Sequence, residues 1–392
     1  MKRIISSICV LIFIIMSTAC SSKSNTSENY GMENQTEEYL MQFVDTYENN
    51  EFPERLVLEN VEKPEYLYTL PRFLGSIMSY IEENVTPDKA NQDLMNIMGI
   101  SYTYICDGEK IYDYPNEDMW RINELGEALD NSMRYYGRDY LFIEKTEALE
   151  YYEQIKKAIV VSINNGVPVL AGNVCGIHDF SIITGYDKHG DLLTGWAANM
   201  HHAKQYLENG MFIKEYSFIS YGEGNQARFL FIKDKNGSSL SDKEIIENAV
   251  KTMGLTETQN KDFEPPYKAG IAALSAFNDE VSGHDTKFFD TDKSLYELMF
   301  ENIFNPRAAL RGYMADLGEK YSGNEKIAAL TFEIQEICGK TMESNYDMLN
   351  LRDNNELTLT EKCENVSASI VQFINENIII QDKLSELIDL LP

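Results

Sequence analysis

Leu149, Tyr152, Ile155, Ile159 and Ile163 recur at the spacing of one helix face, which predicts a helix over 146–165 with Gly166 placed for its C-terminal cap. Upstream, Phe73, Ile77, Tyr80 and Ile81 share one face and predict a helix over 73–84. Thr86 reads as an N-cap with Pro87 in the first helical position, and Leu94, Ile97 and Met98 close that helix before Gly99. After Gly166 the period changes. Val167–Ala171, Phe180–Tyr186, Leu192–Trp196, Met211–Ile213 and Arg228–Ile232 are short apolar runs and predict strands. Asp187-Lys188-His189-Gly190-Asp191 predicts a turn between two of them. Asn236–Ser239 is a break, and Ser241 with Glu244 then carries a capping-box signature. From there helical periodicity runs almost to Pro392, with helices predicted over 267–278, 292–304, 306–321, 324–348 and 360–390. Helices, then a sheet, then helices predict an α+β fold and not a doubly wound sheet.

The first residues follow another pattern. Lys2 and Arg3 precede an apolar run from Ile4 to Ile15, which leads into Ser17-Thr18-Ala19-Cys20. A basic start, an apolar run and a small-residue cleavage site make a signal peptide. A Cys directly after Thr-Ala resembles the lipobox of bacterial lipoproteins, with Ser17 standing where that box usually has Leu. The resemblance implies that the Cys20 thiol takes a diacylglycerol and becomes the new N-terminus. Residues 1–19 are then a removed leader, and the partner of Cys20 is the lipid bilayer at the outer face of the membrane. The alternatives are an uncleaved anchor helix or an ordinary secretory peptide; the apolar run is short for a bilayer span. Residues 20–38 are rich in Ser, Asn, Thr and Glu and predict a flexible tether.

Net charge changes the list of partners. At -29 over 392 residues the chain is a poor candidate for nucleic acid, which needs a cationic face, and for anionic headgroups. Attachment to a membrane must then come from the lipid. The cysteines are Cys9, Cys20, Cys106, Cys175, Cys338 and Cys363, with no C-x-x-C pair among them. That excludes a disulfide-dense scaffold and a zinc-finger spacing, and leaves a Cys338–Cys363 bridge undecided. His201-His202 are adjacent and face opposite ways on a strand, and His284 lies in a polar stretch. No metal or cofactor is expected.

The sharpest local pattern is His178-Asp179-Phe180-Ser181-Ile182-Ile183-Thr184-Gly185-Tyr186-Asp187, preceded by Gly166-Val167-Pro168-Val169. It resembles the papain-like cysteine peptidase superfamily, in its branch of bacteriocin-leader-processing peptidases. There a G-x-P-V strand precedes a strand opened by the general-base His. A closer resemblance is to the amino-terminal domain family of the butirosin biosynthesis protein BtrH. Its L-M-G-x-S segment is matched by Leu94-Met95 and Met98-Gly99-Ile100-Ser101. Its G-Y-D and G-D-L-L-x-G-W hairpin is matched by Gly185-Tyr186-Asp187 and Gly190–Trp196. The resemblance spans roughly residues 65–350. It implies a papain-like α+β domain over 39–235 followed by a helical region over 236–392.

The same resemblance implies His178 as general base, with an orienting Asp or Asn at a position that falls near Gly195-Trp196 and is absent here. Papain-like chemistry needs a thiolate at the start of the first helix. The helix beginning near Phe73 offers Leu74, Gly75 and Ser76, but no Cys. The expectation is a catalytically degenerate domain that binds a peptide, glycan or small molecule, with Tyr186, Asp187 and Trp196 as cleft candidates. The alternative is a thiol- or hydroxyl-dependent acyltransferase or peptidase using His178 with Cys175, Cys106 or Ser76. A solute-binding lipoprotein fits less well, because its alternating βα units are not visible.

Overall fold

The computed structural model describes residues 32–64, 69–102, 104–106, 125–143, 151–172, 180–197, 207–208, 211–212, 228–237, 239–259, 266–283 and 303–392. Cys20, Cys175, His178 and residues 292–302 of the predicted helix over 292–304 lie outside them. Leu40–Pro392 forms one compact unit, separate from Met1–Tyr39.

The chain runs α1 (Met32–Glu48), β1 (Leu56–Val57), α2 (Thr69–Ile81), α3 (Pro87–Ile97), a short 3-10 turn (Ile100–Tyr102), β2 (Ile105–Cys106), α4 (Leu125–Tyr136) and β3 (Arg138–Ile143). Then follow α5 (Tyr152–Asn164), β4 (Val169–Gly172), β5 (Phe180–Asp187), β6 (Leu192–Ala197), β7 (Leu207–Glu208), β8 (Met211–Phe212) and β9 (Arg228–Lys235). The remainder is α6 (Asp242–Met253), β10 (Lys268–Ala269), α7 (Gly270–Ser282), α8 (Asn305–Lys320), α9 (Glu325–Asp353) and α10 (Leu359–Ile388).

The main sheet is antiparallel, in the order β3-β9-β4-β5-β6-β8-β7. β4 pairs with the first half of β5, where Val169 faces Ile183, and β1 takes over the same edge at Gly185 and Tyr186. Leu170, Phe180, Ile182, Leu230 and Ile232 point to one face, into a core with Leu74, Ile77, Leu94, Met98 and Leu129 of α2 to α4. On the opposite face α5 packs on β4 and β5, and Phe43 of α1 meets Phe231 with ring centroids 5.5 Å apart. Period-2 side chains thus bury both faces, which is why these strands read as continuous apolar runs. The protein is α+β.

A second core joins the middle of the chain to its end. Ile97 and Tyr102 pack with Ile246, Leu310, Met314, Ile334, Cys338, Ile380 and Leu384. A third holds Tyr104, Phe277, Val281, Met348, Cys363, Val366, Ile370 and Phe373. Cys338 and Cys363 are free and buried in different cores, so they form no bridge.

Helix ends follow the sequence signals. Thr86 caps α3 by accepting from Lys89 N, with Pro87 just inside. Ser241 with Glu244, and Thr358 with Glu361, complete capping boxes on α6 and α10. The Ser241 N–H holds the Glu244 carboxyl down to about 2. Elsewhere tertiary context moves the boundaries. α2 starts at Thr69 and not near Phe73, because Pro71 falls in its first turn, where its missing N–H costs nothing. Lys268 and Ala269 pair with Cys106 and Ile105 before α7 begins. β3 was not expected. Leu141 and Ile143 are buried and Tyr140 and Phe142 pack on the α2–α4 core, so its run of apolar residues shows no alternation.

One ion cluster pins β3 and β9 to the end of α2. Arg138 Nε donates to Glu82 Oε1 at 2.5 Å and Lys235 Nζ lies 2.8 Å from Oε2. Burial pushes the Glu82 carboxyl up, but hydrogen bonds and charge from Lys235 and Arg138 outweigh it and hold it below 4.5. A depressed carboxyl contributes stability that is whole above its unfolded value and is lost as pH falls through the folded one. Glu82→Gln is expected to cost about 2 kcal/mol near neutral pH. It should also flatten the loss of stability below about pH 4.5, as read from urea titrations across pH. Equal acid sensitivity in variant and parent would contradict that.

Candidate functional site

The β5–β6 hairpin carries the residues that the sequence singles out. Tyr186 is fully buried; its hydroxyl accepts from Asn164 Nδ2 at 2.7 Å and donates to the Pro53 carbonyl at 3.1 Å. Both partners lie within the fold, so the phenol ties α5 and the segment before β1 to the sheet. Asp187 opens the turn, its Oδ1 accepting from Lys188 N at 2.7 Å. Lys188, His189 and Gly190 all have positive φ, at 50°, 53° and 98°. The strained turn is held by His189 N donating to the Glu54 carbonyl at 2.9 Å. Trp196 is half-buried, pairs with Ile182, and has Lys63 Nζ 5.8 Å from its ring centroid.

The two strand glycines of this hairpin have a packing reason. A Cβ on Gly195 would lie 1.8 Å from the Ile182 carbonyl oxygen. One on Gly185 would lie 2.5 Å from both Leu56 O and Thr194 Oγ1. The pairing of β5 with β6 shifts register between Ile183 and Gly185, and β1 approaches at the same place. Only glycine admits three backbones this close.

Ser76 is 2% exposed and its Oγ donates to the Arg72 carbonyl at 3.1 Å. It stands seven residues after Thr69, about two turns into α2. The unpaired N–H groups and the dipole of a helix start act within the first turn, so they do not activate this hydroxyl. Cys106 is on β2, opposite Lys268. Among the described residues no group of three or more His, Cys, Asp or Glu side chains is placed to hold a metal.

A cavity of about 180 Å³ lies where α2, α3 and α8 meet, lined by Arg72, Asp88, Asn91, Gln92, Met95, Asn305, Ala308 and Ala309. Asp88, Asn91, Gln92 and Met95 fall at i, i+3, i+4 and i+7, one face of α3. Arg72 Nη1 pairs with Asp88 Oδ1 at 2.6 Å on its rim. The sequence held only a weak signal for it: Asp88, Asn91 and Gln92 form a polar stripe, but on a helix that also carries Lys89, Asp93 and Asn96. A stripe of that kind ordinarily faces solvent, and only the packing of α8 encloses it.

Compared with known proteins, the chain matches no family model and no curated protein. Function is therefore read from the residues themselves.

Proposed function

We propose that the protein is a bacterial lipoprotein held at the outer face of the cytoplasmic membrane through Cys20. Its papain-like α+β domain is catalytically degenerate and binds a peptide, glycan or small molecule. The leader supports the anchor: Lys2-Arg3, the apolar run to Ile15, and Cys20 after Thr-Ala. At a net charge of -29 the chain as a whole gains nothing from anionic headgroups. No described helix is long and apolar enough to cross a membrane. For the domain, the support is the antiparallel β4-β5-β6 run on which α2 packs, with His178 two residues before β5.

The observation that carries binding over catalysis is Ser76. The one hydroxyl that the sequence offers at the expected nucleophile position is buried, bonded to a backbone carbonyl and two turns from the helix start. Cys20→Ser tests the anchor. The wild-type chain should pellet with membranes and the variant should be released or stay as unprocessed precursor. Membrane retention of a fully processed Cys20→Ser protein would remove the premise.

A further inference from the structure

The cavity between α2, α3 and α8 is a built polar site. Arg72 Nε, Asn305 Nδ2 and Asn91 Oδ1 are buried and have no hydrogen-bond partner. Asn91 is 9% exposed, and its amide nitrogen reaches only the Met95 sulfur, at 3.6 Å. Buried polar groups in folded proteins are nearly always paired, and two donors and an acceptor orphaned around one cavity are costly unless something pairs them. Gln92 adds a third carboxamide to the wall.

The charges narrow what would fit. Arg72 and Asp88 place one cation and one anion 2.6 Å apart on the rim. A ligand of net charge gains from one what it loses to the other. A molecule with an acceptor end and a donor end gains from both. Size narrows it further. A cavity of about 180 Å³ that opens to solvent on one side has room for a small polar molecule. Met95, Ala308 and Ala309 give a small apolar wall, enough for a methyl group.

We propose that this cavity binds a small zwitterion of the α-amino-acid class. Its carboxylate would face Arg72 and Asn305, and its ammonium would face Asn91 and Asp88. Because the three orphaned atoms are buried in the wall, binding requires their side chains to turn toward the ligand. The site stands on other elements than the β5–β6 hairpin, so its failure and the failure of the anchored-binding proposal are read separately.

Isothermal titration calorimetry of the full chain with L-alanine tests it, with acetate, methylammonium and L-tryptophan as comparison probes. Expected is saturable one-site binding of L-alanine in the micromolar-to-millimolar range. The half-molecules and L-tryptophan should bind about tenfold weaker or not at all. Arg72→Gln and Asn305→Leu should each weaken L-alanine at least about tenfold at unchanged melting temperature. Asp88→Asn, on the exposed rim, gives the same test where either of those fails to fold. Absence of saturable L-alanine binding would overturn the site. So would binding unchanged in the variants. Acetate binding as tightly as L-alanine would overturn the zwitterion class.

Discussion

Arg307→Ala is expected to cost roughly 4 kcal/mol in urea denaturation. Arg307 is 1% exposed and, among the described residues, is the largest of the fully buried side chains. Its Nη1 donates to the Ser101 carbonyl at 3.1 Å, its Nη2 donates to Asn377 Oδ1, and its guanidinium lies 5.5 Å from the Tyr104 ring centroid. One side chain on α8 therefore ties Ser101 and Tyr104 to α10 across the second and third cores. Truncation leaves a buried carbonyl and a buried amide oxygen without a donor, each worth about 1–3 kcal/mol, and opens a cavity besides. Arg307→Met should recover packing but not the hydrogen bonds, and so lose about half as much. A loss below about 1 kcal/mol for Arg307→Ala would show that the guanidinium is not the tie.

Gly195→Ala is expected to cost about 3 kcal/mol or more, or to leave an insoluble chain. The added methyl would stand 1.8 Å from a backbone oxygen of β5. No rotamer relieves a clash with backbone, so the strands must part. Gly126→Ala is the matched control, since a Cβ there meets nothing within 4 Å and the residue lies in α4. That variant should lose nothing, because Ala favours the helix over Gly by about 1 kcal/mol. Melting temperatures of the pair give the comparison. A Gly195→Ala protein as stable as its parent would mean that β5 and β6 are not so close.

Local chemistry was the legible part of the fold. The Thr86-Pro87 start of α3, the Ser241–Glu244 box and the Gly166 stop, at φ +77°, each depend on a few adjacent residues. So did β5 and β6, whose apolar runs are flanked by turn residues. β1 was not legible, because two residues form a strand only when Gly185 leaves room for them. Nor was the start of α2, which lies four residues before Phe73, where the apolar periodicity predicts it, with Pro71 sitting harmlessly in the first turn.

The site residues divide along the same line. Gly185 and Gly195 of the β5–β6 hairpin are explained by backbone contact, a requirement of packing and not of chemistry. The α2–α3–α8 cavity escaped notice because its members, Arg72, Asn91 and Asn305, are scattered over the sequence and meet only where the three helices pack. Ser76 illustrates the reverse: a residue conspicuous in sequence is bonded within its own helix.

The central claim, binding without thiol catalysis, is tested most directly by a broad electrophilic thiol probe on the folded full chain. Cys338 and Cys363 are buried, and burial pushes the Cys338 thiol up to about 11 and raises Cys363, so neither should react readily. Labelling at Cys106 or Cys175 then reports on the only thiols that the alternative enzyme could use. Slow labelling at both, unchanged in His178→Ala, is the expected result. Rapid labelling at either that disappears in His178→Ala would contradict it and identify a working thiol–histidine pair.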